Sequence, residues 1–161
     1  MSTILVPDSC HIQMVNWADH KKLLCPIRQT VFIEEQKVPA QLEWDEQDES
    51  AQHILAQIEY KQQLLPVGTA RILIRHNIAS IGRMAVLPQW RRFGIGYKIL
   101  SFAVSECQKQ QMIKIILNAQ SYVLNFYLKA GFKISSNEFF EAGIAHKQMT
   151  LTLIPEKNDK S

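Results

Sequence analysis

The chain has 161 residues, 47% of them hydrophobic, which is enough for one domain around a single core and too few for a second. Its net charge of +3 is mild, no Lys/Arg block tracks a nucleic-acid backbone, and no uninterrupted apolar run reaches about 18 residues. Nucleic acid and membrane are therefore excluded as expected partners. Cys10, Cys25 and Cys107 are odd in number and sit inside element-like segments, so they read as core thiols of a reducing compartment rather than a disulfide framework. With no basic region followed by a long apolar run near Met1, the expected location is cytoplasmic.

In chain order, Cys10 to Asn16 alternates as a first strand, and Trp17 to about Lys37 carries Leu24, Ile27, Val31 and Phe32 at helical spacing. Pro26 should break or kink that region, because it lacks the N–H a helix needs. Val38 to Ser50 turns polar, with Glu43, Asp45, Glu46, Asp48 and Glu49 crowded together, and reads as a solvated loop. His53 to Tyr60, Val67 to Arg75 and Ile78 to Val86 form three consecutive strands with short turns at Gln62-Gln63 and His76-Asn77. Pro88 ends the third.

A helix from Ile95 to about Gln110 follows from Ile95, Ile99, Ala103 and Cys107 at i, i+4 spacing. Ile113 to Leu117 is a short buried strand, and Ser121 to Lys129 a helix that Gly131 closes as a C-cap. Phe132 to Ser136 and Lys147 to Leu153 are the last strands, with a loop through Glu141 and Gly143 between them; Glu156 to Ser161 is read as a mobile tail. The sum is a mixed α/β domain, mostly antiparallel, flanked by helices, spanning residues 1–161.

The segment Arg91-Arg92-Phe93-Gly94-Ile95-Gly96 joins a strand to a helix. Glycines at alternate positions let backbone approach an anion, and the following helix aims free N–H groups and its positive dipole end at the same place. The bland alternative is a pair of loop glycines; the adjacent arginines, the strand before and the helix after favour an anion site. A P-loop would need Gly-Lys-Ser/Thr, and a dinucleotide fingerprint would need a small residue at Ile99 and an acid where Asn118 stands.

Arg-x-x-Gly-x-Gly after a strand resembles the acetyl-CoA pyrophosphate loop of the GNAT superfamily of N-acetyltransferases, and the element order is also that of the GNAT fold. Asn118-Ala119-Gln120 followed by Asn125-Phe126-Tyr127-Leu128-Lys129-Ala130-Gly131-Phe132 is similar to the family's second cofactor-binding segment. Arg28-x-x-Val31-Phe32-Ile33-x-Glu35-Gln36, the acidic loop and Glu141-x-Gly143-Ile144-x-His146 look like the ElaA/YjcF-like branch.

The resemblance implies acetyl transfer from acetyl-CoA directly to a primary amine on a small molecule or peptide. Backbone groups of Met84, Ala85 and Val86 would pair with the pantetheine arm. Backbone N–H groups from Arg92 through Phe93, Gly94, Ile95 and Gly96 to Tyr97 would hold the pyrophosphate, with Arg91 or Arg92 touching phosphate, and Asn118 and Asn125 would complete the cofactor set. Dimers are common in the family. A non-catalytic CoA-binding module of the same fold, or an interaction protein with no ligand, are the alternatives.

Three needs of such a reaction can be assigned separately. A backbone N–H near the end of the Ile81 to Val86 strand would hold the oxyanion. Tyr127, which matches the family's acid tyrosine, would protonate the thiolate; read plainly, Val123, Phe126, Tyr127 and Ala130 are a buried helical stripe. Candidates for the base are Glu35, Glu43, Asp45, His53 and His146, with His146, at the start of the last strand, first among the histidines and a plain surface or hydrogen-bonded histidine its bland reading. Glu43 or Asp45 would attract a cationic amine, and Arg83 would pair with such carboxylates. No C-x-x-C, H-E-x-x-H or Gly-x-Ser-x-Gly occurs, so neither a metal nor a serine nucleophile is expected.

Overall fold

The computed structural model describes residues 9–154, so the expected tail at 156–161 lies outside the described residues. Strands β1 (Cys10–Val15), β2 (Gln52–Tyr60), β3 (Gln63–Arg75), β4 (Ile78–Val86), β5 (Lys114–Gln120), β6 (Lys133–Ile134), β7 (Phe139–Glu141) and β8 (Ile144–Thr152) form one sheet in the order β1-β2-β3-β4-β5-β8-β6, with β7 on β8. Helices are α1 (Trp17–Arg28), α2 (Ala40–Glu43), α3 (Ile95–Lys109) and α4 (Leu124–Lys129). The mixed α/β, mostly antiparallel expectation is borne out.

The sheet is buried on both faces because β2 alternates toward two helical layers. Ile54, Ala56 and Ile58 meet Ile95, Ile99, Ala103 and Cys107 of α3, whereas Leu55 meets Leu24, Ile27 and Val31 on the other side. The stripe foreseen on α3 is its buried face.

Four local readings are corrected. The helix carrying Pro26 is not broken there; it runs to Arg28 and then widens into a π-helical segment, Gln29–Glu35. The acidic loop contains α2, and Glu43 and Asp48 are 2% and 6% exposed rather than solvated. The first hairpin turns at Lys61-Gln62, both at positive φ (49° and 65°), so β3 starts earlier than expected. A short β7 hairpins onto β8 through Ala142-Gly143, where a loop was expected. Of the cysteines, Cys107 is fully buried, while Cys10 and Cys25 are half-buried.

Two features of β4 shape the function. Between Thr69↔Ala85 and Arg71↔Gly82 the strand carries two residues, Arg83 and Met84, against Ala70 alone, a β-bulge with Arg83 at φ +50°. The extra residue reverses the side-chain phase: Ala79 and Ile81 face α3, yet Ala85 faces α1, and Met84 and Val86 take over the α3 side. Second, β4 and β5 are the one parallel pair among the described residues, and they pair only from Ile78↔Lys114 to Ser80↔Ile116. Beyond that the strands part.

Candidate active site

The parting of β4 and β5 opens a cleft of about 1280 Å³ walled by Ile81–Val86, the glycine loop, the end of β5, α4 and the start of β8. Among the described residues the edge of β4 past Ser80 has no strand partner on this side, so its backbone is open to an extended ligand.

At the mouth, Pro88–Trp90 makes one 3-10 turn, Arg92 sits at φ +72°, and Gly94 caps α3 at φ +77°. Gly94 has no side chain to cap with, and the first helical bond runs from the Lys98 N–H to the Gly94 carbonyl at 3.1 Å. The N–H groups of Ile95, Gly96 and Tyr97 thus have no acceptor within the helix. A Cβ on Gly96 would meet Phe126 at 3.7 Å and Val86 at 3.9 Å, both ordinary contacts, so packing does not demand glycine there. Phe93 and Ile95 turn their side chains into the core, and only their backbone could serve a ligand.

The two arginines part company. Arg91 donates through Nη1 and Nη2 to both Glu35 oxygens, at 2.8 and 2.6 Å, and through Nε to the Val86 carbonyl at 2.9 Å. Arg92 is exposed and lines the cleft. The hydrogen bond from Arg91 lowers the Glu35 carboxyl below its ordinary range, which removes Glu35 as a base.

On the opposite wall α4 ends in a Schellman cap: Phe132 N–H donates to the Tyr127 carbonyl and Gly131 N–H to that of Leu128, with Gly131 at φ +98°, as the C-cap expectation required. This fixes Tyr127 edge-on between Phe126 and Phe132, with its hydroxyl 3.8 Å from Met84 Sδ. Burial pushes the phenol up to about 12. Asn118 also lines the cleft, donating to Glu141 Oε1 at 3.0 Å, but Asn125 is exposed on α4 and outside the cleft wall.

His146 is 7% exposed, so of its two bland readings the hydrogen-bonded one fits and the surface one does not. Its Nδ1 lies 2.6 Å from the Ile144 carbonyl, an acceptor, so Nδ1 carries the proton and Nε2 keeps a lone pair in the neutral ring. Phe139 stacks on it at 6.0 Å. His53 is structural: its Nε2 binds the Asp48 carbonyl at 2.8 Å, and burial lowers its proton affinity.

Three acids of the acidic loop, Glu43, Asp45 and Asp48, are paired with three arginines. Arg28 donates to Glu43 Oε1 and Asp48 Oδ1, each at 2.7 Å, Arg71 takes both Asp45 oxygens at 2.8 and 2.9 Å, and Arg83 reaches Glu43 and Asp45, each at 3.1 Å. Burial raises the Glu43 carboxyl despite these partners. Burial also pushes Asp45 up, but the Arg71 hydrogen bonds and charge win and hold it at about 2. Arg83 pairs with carboxylates as expected. Glu43, with an arginine on each oxygen, is a wall of the site rather than a free base. The sequence reading took Arg28 only as part of the branch pattern and gave Arg71 no role, yet both carried a signal: Arg28 continues the Leu24 stripe and Arg71 interrupts an apolar strand, so each had to find a buried anion.

An open strand edge, N–H groups left without helical acceptors and a buried phenol thus meet in one cleft. The acetyltransferase (GNAT) domain family matches residues 18–153. The chain belongs to the GNAT acetyltransferase family. YjcF of Bacillus subtilis, an uncharacterized N-acetyltransferase, is 35% identical over 124 residues, covering 76% of this chain and 86% of its own. The crystal structure of Escherichia coli ElaA matches with TM-score 0.75 at 26% identity, over 88% of this chain and 98% of that one. An acetyltransferase of Bacillus subtilis solved in complex with CoA shares the fold, with TM-score 0.66 at 19% identity over 90% and 99% of the two chains.

Proposed function

We propose that this GNAT protein binds acetyl-CoA in the cleft and passes the acetyl group directly to a primary amine. The observation that carries the reading is the loss of β4–β5 pairing beyond Ser80 and Ile116, directly between the glycine loop and Tyr127. The CoA complex of a protein with this fold supports it.

In this reading the N–H groups of Ile95, Gly96 and Tyr97 hold the pyrophosphate at the positive end of α3, with Arg92 adding charge. The open edge of Met84, Ala85 and Val86 orients the pantetheine arm as an added strand would. The cosubstrate supplies a thioester, whose carbonyl oxygen becomes an oxyanion as the amine nitrogen bonds to its carbon. A backbone N–H in the bulged stretch stabilises that charge. His146 Nε2 accepts the amine proton, and Tyr127 donates its hydroxyl proton as the carbon–sulfur bond breaks and the thiolate leaves. No enzyme-bound acyl group is needed.

Calorimetric titration with acetyl-CoA tests the cofactor half, with NADH and the Gly96→Trp variant as controls. Saturable binding of acetyl-CoA alone, lost in the variant, is the expected result; no binding to the unaltered chain would sink the reading. Tyr127→Phe then separates an enzyme from a binding module, because only an enzyme has turnover to lose.

A further inference from the structure

The branch pattern ending in Glu35-Gln36 has no task in the reaction just described, yet these two consecutive side chains reach opposite sides of the cleft. Glu35 holds Arg91, whose Nε is bonded to Val86, the last residue of β4. Gln36 accepts from Gln120 Nε2 at 2.9 Å, and Gln120 is the last residue of β5 and the register partner of His146. The sheet itself cannot fix the gap, since β4 and β5 make no pairs this far along. The dipeptide is in turn fastened to the core: Gln36 N–H donates to the Val31 carbonyl at 3.1 Å, a bond five residues back, and Val31 is 2% exposed. That wider turn is the π-helical feature that often marks a functional position.

We propose that Glu35 and Gln36 are positioning residues that form a strut across the cleft and set its width, Glu35 acting through Arg91 on the end of β4 and Gln36 acting through Gln120 on the end of β5. The functional consequence rests on the acetyl-CoA reading; the mechanical one does not. Because Arg91 is committed to Glu35 and Val86, Arg92 is left as the guanidinium that meets phosphate. Loss of Glu35 frees the loop and should be felt in cofactor affinity. Loss of Gln36 frees the arm that carries His146 and should be felt in turnover.

The test uses the full chain and the variants Glu35→Gln, Arg91→Gln, their double, and Gln36→Ala. By calorimetry, Glu35→Gln should weaken acetyl-CoA binding about tenfold, a cost in keeping with misplacement rather than loss of a ligand contact. In the double variant affinity should fall no further than in Arg91→Gln alone, since one residue acts through the other. Gln36→Ala should keep cofactor affinity within about twofold while kcat falls, a split a merely structural residue would not give. Amide exchange supplies the readout free of ligand: faster at 86–97 in Glu35→Gln only, and faster at 117–120 in Gln36→Ala only. Additive affinity losses, unchanged exchange, or exchange raised throughout both variants would overturn the strut. If the unaltered chain fails to bind acetyl-CoA, the cofactor reading falls and the exchange pattern still decides the strut.

Discussion

Tyr127 donates its hydroxyl to Met84 Sδ at 3.8 Å, from α4 across to the bulge of β4. A thioether is a weak acceptor, so the phenol is easily given to a better one, such as a departing thiolate. Because burial raises the group to about 12, it stays protonated throughout the neutral range. Tyr127→Phe should therefore lower kcat about 100-fold with acetyl-CoA affinity within about twofold, and the unaltered protein should show no alkaline loss from this group below about pH 10. Steady-state rates with calorimetry check both; an affinity loss matching the rate loss would make Tyr127 a packing residue.

His146 is held by its Nδ1 proton on the Ile144 carbonyl and by the Phe139 ring, which presents Nε2 as the acceptor. His146→Ala should cut kcat/KM for the amine about 100-fold and leave acetyl-CoA affinity unchanged. Added imidazole should restore part of the rate, since the cavity left can take it; a rate indifferent to both changes would remove His146 from the chemistry.

Gly94 and Gly96 answer differently to alanine. Gly94, at φ +77°, puts any side chain in the left-handed region at a cost of about 1–2 kcal/mol, although its surroundings are open. Gly96 lies in the first turn of α3 with ordinary contacts for a Cβ, so Gly96→Ala should raise stability by about 0.5 kcal/mol. In the acetyl-CoA reading the same methyl crowds the approach to these N–H groups, and acetyl-CoA affinity should fall. Urea midpoint and calorimetry moving in opposite directions is the expected result; both rising together would place the ligand elsewhere.

What was legible in the sequence was what local pattern encodes. The α3 stripe, the Gly131 cap and the glycine loop depend on neighbours within a few residues, and all three appear where the spacing put them. The acidic loop was misread because its partners are remote: Asp45 meets Arg71 and Arg83, and Glu43 meets Arg28, from separate elements. Five acids crowded within seven residues look solvated, yet three of them are closed on by arginines from elsewhere, while Glu46 and Glu49 stay exposed. Strand β7 was missed because three residues show no period, and its Phe140 is exposed. His146 was read at the start of the last strand, but Phe139, which pairs with it and stacks on its ring, lies on the missed strand.

The same long-range pairing sets how the fold should respond to acid. Asp45 is held at about 2 against 3.8 when unfolded, a depressed value, so its stabilisation is present above about pH 4 and is lost as pH falls through about 2. That shift corresponds to about 2 kcal/mol at neutral pH for a carboxyl only 26% exposed. Asp48 is depressed in the same sense by Arg28 and Arg71, after a burial penalty of opposite sign. Glu43 is raised, so its protonation favours the folded state and partly offsets the acid loss. Asp45→Asn should therefore cost about 2 kcal/mol or more by urea unfolding at pH 7, because Arg71 and Arg83 keep their charge and lose its partner. The gap to the unaltered chain should narrow steadily from about pH 4 to about pH 2, where Asp45 itself takes up a proton. A gap that stays constant over that range would mean that the hydrogen-bonded shape of the loop, not the charge of Asp45, is what α2 and the bulge of β4 depend on.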